Sequence, residues 1–286
     1  MSVSLEIDHG DPCWLSPDLW VVPGNDPNGP LGVPVVGSPA FIWARVHNRG
    51  TDGVQNATVR YWWANPGTNF DRTTATQVGV SYVSLNAGET QDVLCLTPWT
   101  PSYVNGGHEC ILGEALEPTF DPLPPGNNFN ACSDRHVGQR NLSVVLGAGR
   151  RRVCVPLEVH NDQRQTALLT VVMETAEMKK LDERVLATLG GGLNHPDLLK
   201  PGTVQALGLA RTPCPGEKDI GSATERIELR PGQRAGFTAC VECTGTVLVH
   251  VSQAHNEVVT GGLSILAVDQ ARTEPERETE EAEAKA

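Results

Sequence analysis

Two cysteines three residues apart, in Cys240-Val241-Glu242-Cys243, have the spacing in this chain most like a metal-ligand pair. Zinc takes thiolates and imidazoles in a tetrahedral set, and Cys214 and His195 lie in the same half of the chain. A structural zinc site usually combines two close pairs, and no second CxxC or HxxxH follows. An unbroken strand also sends residues 240 and 243 to opposite faces, so both reach one ion only if Gly245 opens a turn there. A disulfide from Cys214 to Cys240 or Cys243 and buried thiols are the competing readings, and buried thiols are the ordinary state of cysteine in a core. The expected metal and cofactor set is therefore empty, with Cys214, Cys240 and Cys243 as the residues to check for zinc.

Nucleophilic chemistry has no local signature. The eight histidines are scattered over strands and turns, and no GxSxG elbow, HExxH helix or cysteine-nucleophile motif is present. His108, after two glycines at the start of a strand, is the first to inspect. Asn25-Asp26-Pro27-Asn28-Gly29 offers oxygen ligands but lacks the later bidentate Glu of a calcium loop, and reads as an Asx turn. Gly147-Ala148-Gly149 before three arginines completes neither phosphate-loop pattern. The six tryptophans suggest recognition rather than catalysis: Trp62 and Trp63 are adjacent, so a strand turns one of them outward. Trp14, Trp20, Trp62 and His108 are the candidate interaction residues, and an exposed flat tryptophan among them would suit a carbohydrate.

A net charge of −12 over 286 residues argues against general binding to nucleic acid or anionic membrane, which need a basic footprint. No stretch approaches the roughly 20 apolar residues of a membrane span. The opening MSVSLEIDHGDPCW has neither a basic n-region nor an apolar h-region. The expectation is a cytoplasmic protein, or one that is particle-associated or released without a Sec signal. Two sequons, Asn56-Ala57-Thr58 and Asn141-Leu142-Ser143, then read as coincidence.

The elements that must carry these residues are strands. In FIWARVHN (Phe41 to Asn48) and VRYWWA (Val59 to Ala64), apolar and polar residues alternate, and the Gly- and Asn-rich connection between them predicts a hairpin. Strands are expected at Asp18–Val22, Ala40–Asn48, Thr58–Trp63, Gln91–Leu96, Cys110–Ala115 and Asn141–Leu146. The stretch from Pro23 to Pro39, with five prolines and four glycines, reads as an exposed loop, as does Pro118 to Asn130. Beyond residue 150, strands are expected at Val153–His160, Ala167–Met173, Arg226–Leu229, Arg234–Val241, Thr246–Gln253 and Leu263–Asp269. Met178, Leu181, Val185 and Leu189 have helical spacing, predicting a helix over 175–189, capped by Thr175 and ended by Gly190 to Gly192. All tryptophans and tyrosines precede residue 137, so the halves have differently built cores. From Thr273 on, six Glu against one Arg and one Lys make a disordered acidic tail.

Ala44-Arg45-Val46-His47-Asn48-Arg49-Gly50, a strand with a central Arg-Val-x-Asn-x-Gly, resembles the bacterial immunoglobulin-like modules of the cell-adhesion-related (CARDB-like) repeat families. Segments at Ser16–Val21, Val59–Ala64, Gly107–Leu112 and Asn127–Asn130 with Gln139–Val144 fit the same module, over roughly residues 14 to 146. The second half is similar more weakly, through Leu229–Gln233 and Val258–Leu263. The resemblance implies adhesion or scaffolding, without catalytic residues. The expected architecture is all-β: an aromatic-rich Ig-like sandwich over 1–148, a second sandwich with the helix over 149–271, and the tail over 272–286. The expected function is a non-enzymatic structural or interaction protein, a building block, decoration or adaptor whose partners are other protein subunits, including copies of itself. A carbohydrate-binding module and a hydrolase accessory with an interdomain site are the alternatives.

Overall fold

The computed structural model describes residues 2–102, 109–148, 152–182, 184–185, 201–211 and 220–270. His108, His195, Cys214 and the acidic tail lie outside them. The chain is all-β. In order, its strands are β1 (Leu5–Glu6), β2 (Leu19–Pro23), β3 (Ala40–Asn48), β4 (Val54–Ala64), β5 (Phe70–Asp71), β6 (Thr76–Leu85), β7 (Thr90–Leu94), β8 (Cys110–Leu116), β9 (Asn128–Phe129) and β10 (Val137–Arg140). There follow β11 (Leu142–Ala148), β12 (Arg152–His160), β13 (Ala167–Ala176), β14 (Thr203–Ala210), β15 (Thr224–Leu229), β16 (Arg234–Thr244), β17 (Thr246–His255) and β18 (Val258–Gln270).

One sheet is built on β3, which pairs with β1, β2 and β7; a second has the order β10-β8-β4-β6. They close on one apolar cluster, because the period-2 geometry of β3 turns Ala40, Ile42, Ala44 and Val46 inward while β4 supplies Ala57, Val59 and Tyr61. Tyr61 donates its hydroxyl to Val93 O at 2.8 Å, and burial pushes the phenol far above its ordinary pKa, so it serves as a neutral donor. A third sheet, β11-β18-β17-β13-β15, and a fourth, β12-β16-β14, enclose a second cluster rich in valine and leucine. A short β5-β9 ribbon completes the ladders.

The expected hairpin of β3 with β4 is corrected: these strands lie in different sheets and meet face to face across the core. The connection is an arch, and Asn48 shapes it. Its fully buried amide accepts from the Gly50 and Ser4 N–H groups at 3.0 and 3.3 Å and donates to Asp52 O and Asn86 O at 2.8 and 3.1 Å. A Cβ on Gly50 would run into the Ser2 carbonyl, so the approach of the N-terminal segment requires glycine. Asn48→Ala strands several of these backbone groups, and a loss of about 2 kcal/mol is expected in urea unfolding. An unchanged midpoint would remove Asn48 from this role.

The expected helix over 175–189 is also corrected, as far as the described residues go. Thr175 and Ala176 extend β13, in register with Val249 and Leu248, a single 3-10 turn follows at Met178–Lys180, and helical backbone is described only at Arg184 and Val185. The apolar stripe still finds a surface. Leu181 and Val185 bury beside Trp14, Leu15, Leu248, Leu266 and Val268 on the outer face of the β17-β18 ladder, with Met178 partly buried against them. Packing on a sheet satisfied these side chains while the ladder took the backbone of 175 and 176, so helical spacing did not yield a helix there. Leu189 lies outside the described residues.

Asn141–Leu146 is expected as the closing strand of the first module. Observed β11 instead runs parallel to β18, and Asn141 alone separates it from β10. The chain thus crosses from one sheet pair to the other within one residue.

Candidate functional site

The crossover sits in a buried polar seam. Asn141 Nδ2 donates to Gly67 O at 2.7 Å and Gly262 O at 2.8 Å, so the sequon asparagine has both amide hydrogens engaged and no exposure. Thr68 Oγ1 donates to Gln253 Oε1 at 2.6 Å, and Gln253 Nε2 donates to His160 O at 3.0 Å. A Cβ on Gly261 would overlap the Thr68 carbonyl, and one on Gly262 would strike the Trp14 ring. Glycine is thus what lets the two sheet pairs touch backbone to backbone. Arg140 reaches across with Nη1 on Ser16 O at 3.1 Å and Nη2 on Val185 O at 3.4 Å; burial pulls its guanidinium down to about 10, so it remains a cation held by carbonyls.

Trp14 lies in this seam, only 4% exposed, and donates Nε1–H to Ser264 Oγ at 2.9 Å. The same hydroxyl is 2.8 Å from His250 Nδ1, the distance a nucleophile and its base would need. Burial lowers the pKa of His250, keeping it neutral. Ser264 is fully buried beneath the indole, so no substrate can approach it; His250 and Ser264 are partners within the β17-β18 ladder, and the bond from Trp14 to Ser264 is the pin between the sheet pairs.

A second constellation lies on the outward face of β2 and β3. Trp20 and Trp43 are directly opposed, their rings stacked at 6.1 Å and 4°. Arg45 and Arg184 hold guanidinium carbons 6.0 and 5.9 Å from the Trp20 ring centre. Arg45 is clamped by Asp92 (Nε–Oδ1 2.5 Å, Nη2–Oδ2 2.8 Å), and buried Asp18 receives His47 Nε2 at 2.7 Å and Arg184 Nη1 at 3.2 Å. The hydrogen bond and charge of Asp92 raise the Arg45 pKa, outweighing its desolvation. This arrangement is a cation–aromatic ladder whose surfaces already cover one another.

Trp62 is partly buried, its Nε1–H donating to Glu114 Oε2 at 3.1 Å and its ring edge-on to Phe129. Cys240 and Cys243 sit on opposite faces of β16, and the bend at Gly245 comes only after the strand has passed both: Cys243 joins the core cluster, and Cys240 points away from it. Cys214, the third candidate ligand, and His108 are outside the described residues. Among the described residues no group of three or more His, Cys, Asp or Glu is placed to hold a metal ion. A cleft of about 840 Å³ is lined by Thr175 to Lys179, Pro201 to Val204 and Thr246 to Leu248; its charged side chains Glu177 and Lys179 pair with each other at 3.1 Å.

Sequence reasoning missed the partners that cover its candidates. The alternation in β3 puts Trp43, Arg45 and His47 on one face, but nothing local announces Arg184 or the disulfide between Cys13 and Cys132, 119 residues apart.

A buried His–Asp cluster lies beside β1. His136 Nδ1 is 2.7 Å from Asp134 Oδ1, its Nε2 is 3.1 Å from Asp121 Oδ1, and Asp121 Oδ2 accepts from Leu5 N–H at 2.6 Å. Burial works against the charge on His136, yet the hydrogen bonds and charges of Asp134 and Asp121 together raise its pKa. Burial likewise opposes the Asp134 carboxylate, and its bonds and charge interaction with His136 lower its pKa in sum. A raised imidazole contributes stability that is full below the unfolded value of about 6.5 and is lost as pH rises through the folded value. A lowered carboxylate contributes stability present above about 3.9 and lost as pH falls through its folded value. The cluster's contribution is therefore full between about pH 4 and 6.5, and the gap in melting temperature between the wild type and His136→Asn is expected to be widest there and to narrow as pH rises above that range. A gap that stays constant with pH would remove the cluster from this role.

No protein-family model matches the chain, and no curated protein matches it. Among solved structures, it is similar to a red sea bream transglutaminase at 11% identity and a TM-score of 0.22, covering 89% of this chain but only 32% of that enzyme. It is also similar to the CupB6 tip adhesin from Pseudomonas aeruginosa (9% identity, 88% and 98% of the two chains, TM-score 0.24). A third likeness is to Lac15 from a marine microbial metagenome (12% identity, 89% and 68%, TM-score 0.24). The chain thus spans about a third of the transglutaminase, and superpositions this loose carry neither activity nor family.

Proposed function

We propose that this chain is a non-enzymatic structural or interaction protein: two Ig-like sandwiches in tandem, the chain passing from the first to the second at Asn141, serving as one rigid building block or adaptor. The observation that carries this reading is the buried seam, in which Asn141, Thr68, Gln253 and Trp14 tie the two sheet pairs by hydrogen bonds with no exposed solvent gap at those groups. A rigid relation between sandwiches is what a repeating or bridging unit needs, since a flexible joint would add an ordering cost to every contact made by both. The arrangement nearest to catalytic chemistry, Ser264 with His250, is used inside that seam. A carbohydrate platform is less well supported, because Trp14 is buried and the Trp20 ring is already stacked and flanked by guanidinium groups.

Other protein subunits, including further copies of this chain, are the partners this reading requires. Strand β6 ends its sheet order, and its outward Tyr82 is 68% exposed beside Val80, an apolar edge of the kind that accepts another strand. Mass photometry from nanomolar to micromolar concentration, with and without reductant, is expected to show a defined oligomer. Tyr82→Lys is expected to shift it toward monomer with an unchanged melting temperature. A monomer at every concentration would overturn self-association.

A further inference from the structure

Cys154 and Cys240 face each other in direct register across the β12–β16 ladder. The neighbouring pair on the same face is Arg152 with Glu242, joined through Nε–Oε1 at 2.7 Å. The alternate residues Val153, Val155, Ala239 and Val241 fill the core of the second sheet pair, so the thiols and the ion pair share the outer face. Opposed residues of an antiparallel ladder have Cα atoms about 4.5–5.5 Å apart, within the roughly 4.4–6.8 Å that a disulfide spans. Cβ atoms of opposed strand residues generally stand about 4.5–5.5 Å apart, close enough for a bond to close with a small adjustment of the strands. Access is asymmetric: β12 is the edge of its sheet and Cys154 is partly exposed, whereas Cys240 on the central strand is buried.

We propose that Cys154 and Cys240 form a redox-reactive dithiol, a modification site at which Cys154 attacks small-molecule disulfides of the glutathione class and Cys240 resolves the product. The Cys154 thiolate attacks one sulfur of the external disulfide, forming a mixed disulfide and expelling one thiolate. Cys240, giving up its proton to solvent, then attacks the Cys154 sulfur, closes the cross-strand bond and expels the second thiolate. The protein loses two electrons and two protons, and the external disulfide becomes two thiols. The surroundings favour the first step: a hydrogen bond from Cys240 and the nearby Arg152 guanidinium outweigh burial and bring Cys154 down to about 7. Buried Cys95 and Cys110 are shifted upward by desolvation instead.

The test is incubation of the full chain with excess oxidised glutathione at neutral pH, acid quenching and peptide mapping by mass spectrometry. A linked Cys154–Cys240 peptide lighter by two hydrogens, and restored by dithiothreitol, is expected. Cys240→Ser should trap the glutathione adduct on Cys154, and Cys154→Ser should leave Cys240 unmodified. Iodoacetamide labelling of the wild-type chain needs no variant: Cys154 should be half-maximally reactive near pH 7 and at least about 10-fold faster there than Cys95 or Cys110. A glutathione adduct persisting on wild-type Cys154, a link from Cys240 to another cysteine, no reaction at either residue, or labelling that rises only toward pH 9 would each overturn the proposal.

Discussion

Arg72→Met is expected to lower the unfolding free energy by about 3–5 kcal/mol, because it removes the cation that is paired with a buried carboxylate. Glu114, on the outward face of β8 yet fully buried, sits under the β5-β9 ribbon. Arg72 Nε donates to Glu114 Oε1 at 2.6 Å, its Nη1 donates to Gly126 O and Asn128 O at 3.1 and 3.0 Å, and its guanidinium lies 4.8 Å from the Phe129 ring centre. One cation therefore neutralises the buried charge and pins the loop over it. Removing it costs the desolvation of Glu114 as well as the loop contacts. Adding Glu114→Gln to the variant should recover at least about 1.5 kcal/mol, since the amide can still accept from Trp62 Nε1 without a charge. Urea titration of the four proteins measures this. A single-variant loss under about 1 kcal/mol would mean that the carboxylate finds water or another cation.

Asn141→Ala is expected to cost about 2–4 kcal/mol and to alter cooperativity as well as stability. Its amide supplies the donors for Gly67 O and Gly262 O, and its carbonyl oxygen accepts from the Cys110 thiol. Alanine abandons all three inside the seam. If the seam couples the two sheet pairs, calorimetry of the variant should separate one transition into two, since each pair keeps its own apolar cluster. Gly262→Ala, which drives a methyl into Trp14, should act in the same direction. A destabilised variant that still melts in one transition would place the coupling elsewhere.

The alternation of Ala40 to Asn48 was legible in full, and β3 has those bounds. β14 and β6 were not anticipated. In β6 the first five residues are exposed or half-buried, so a strand at a sheet edge has little apolar pattern to declare it. The Met178–Val185 stripe shows the opposite case: its apolar positions do pack on a surface, while the backbone at 175 to 180 is strand and 3-10 turn rather than the expected helix. Of the candidate residues, only the adjacency of Trp62 and Trp63 declared in advance that a strand would turn one of the two outward. That Trp43, Arg45 and Arg184 gather around Trp20, and that Trp14 is buried, depends on residues distant in sequence.

The residues by themselves therefore determined an all-β chain with turn-rich connections, because the two-residue period of a strand is a local consequence of backbone geometry. Tertiary structure alone decided that β3 and β4 oppose rather than pair, that β11 crosses to the second sheet pair, and that Cys154 meets Cys240. Those choices come from competition among all apolar faces and all unpaired backbone groups for partners, and a register between distant strands leaves no trace in the spacing of either one.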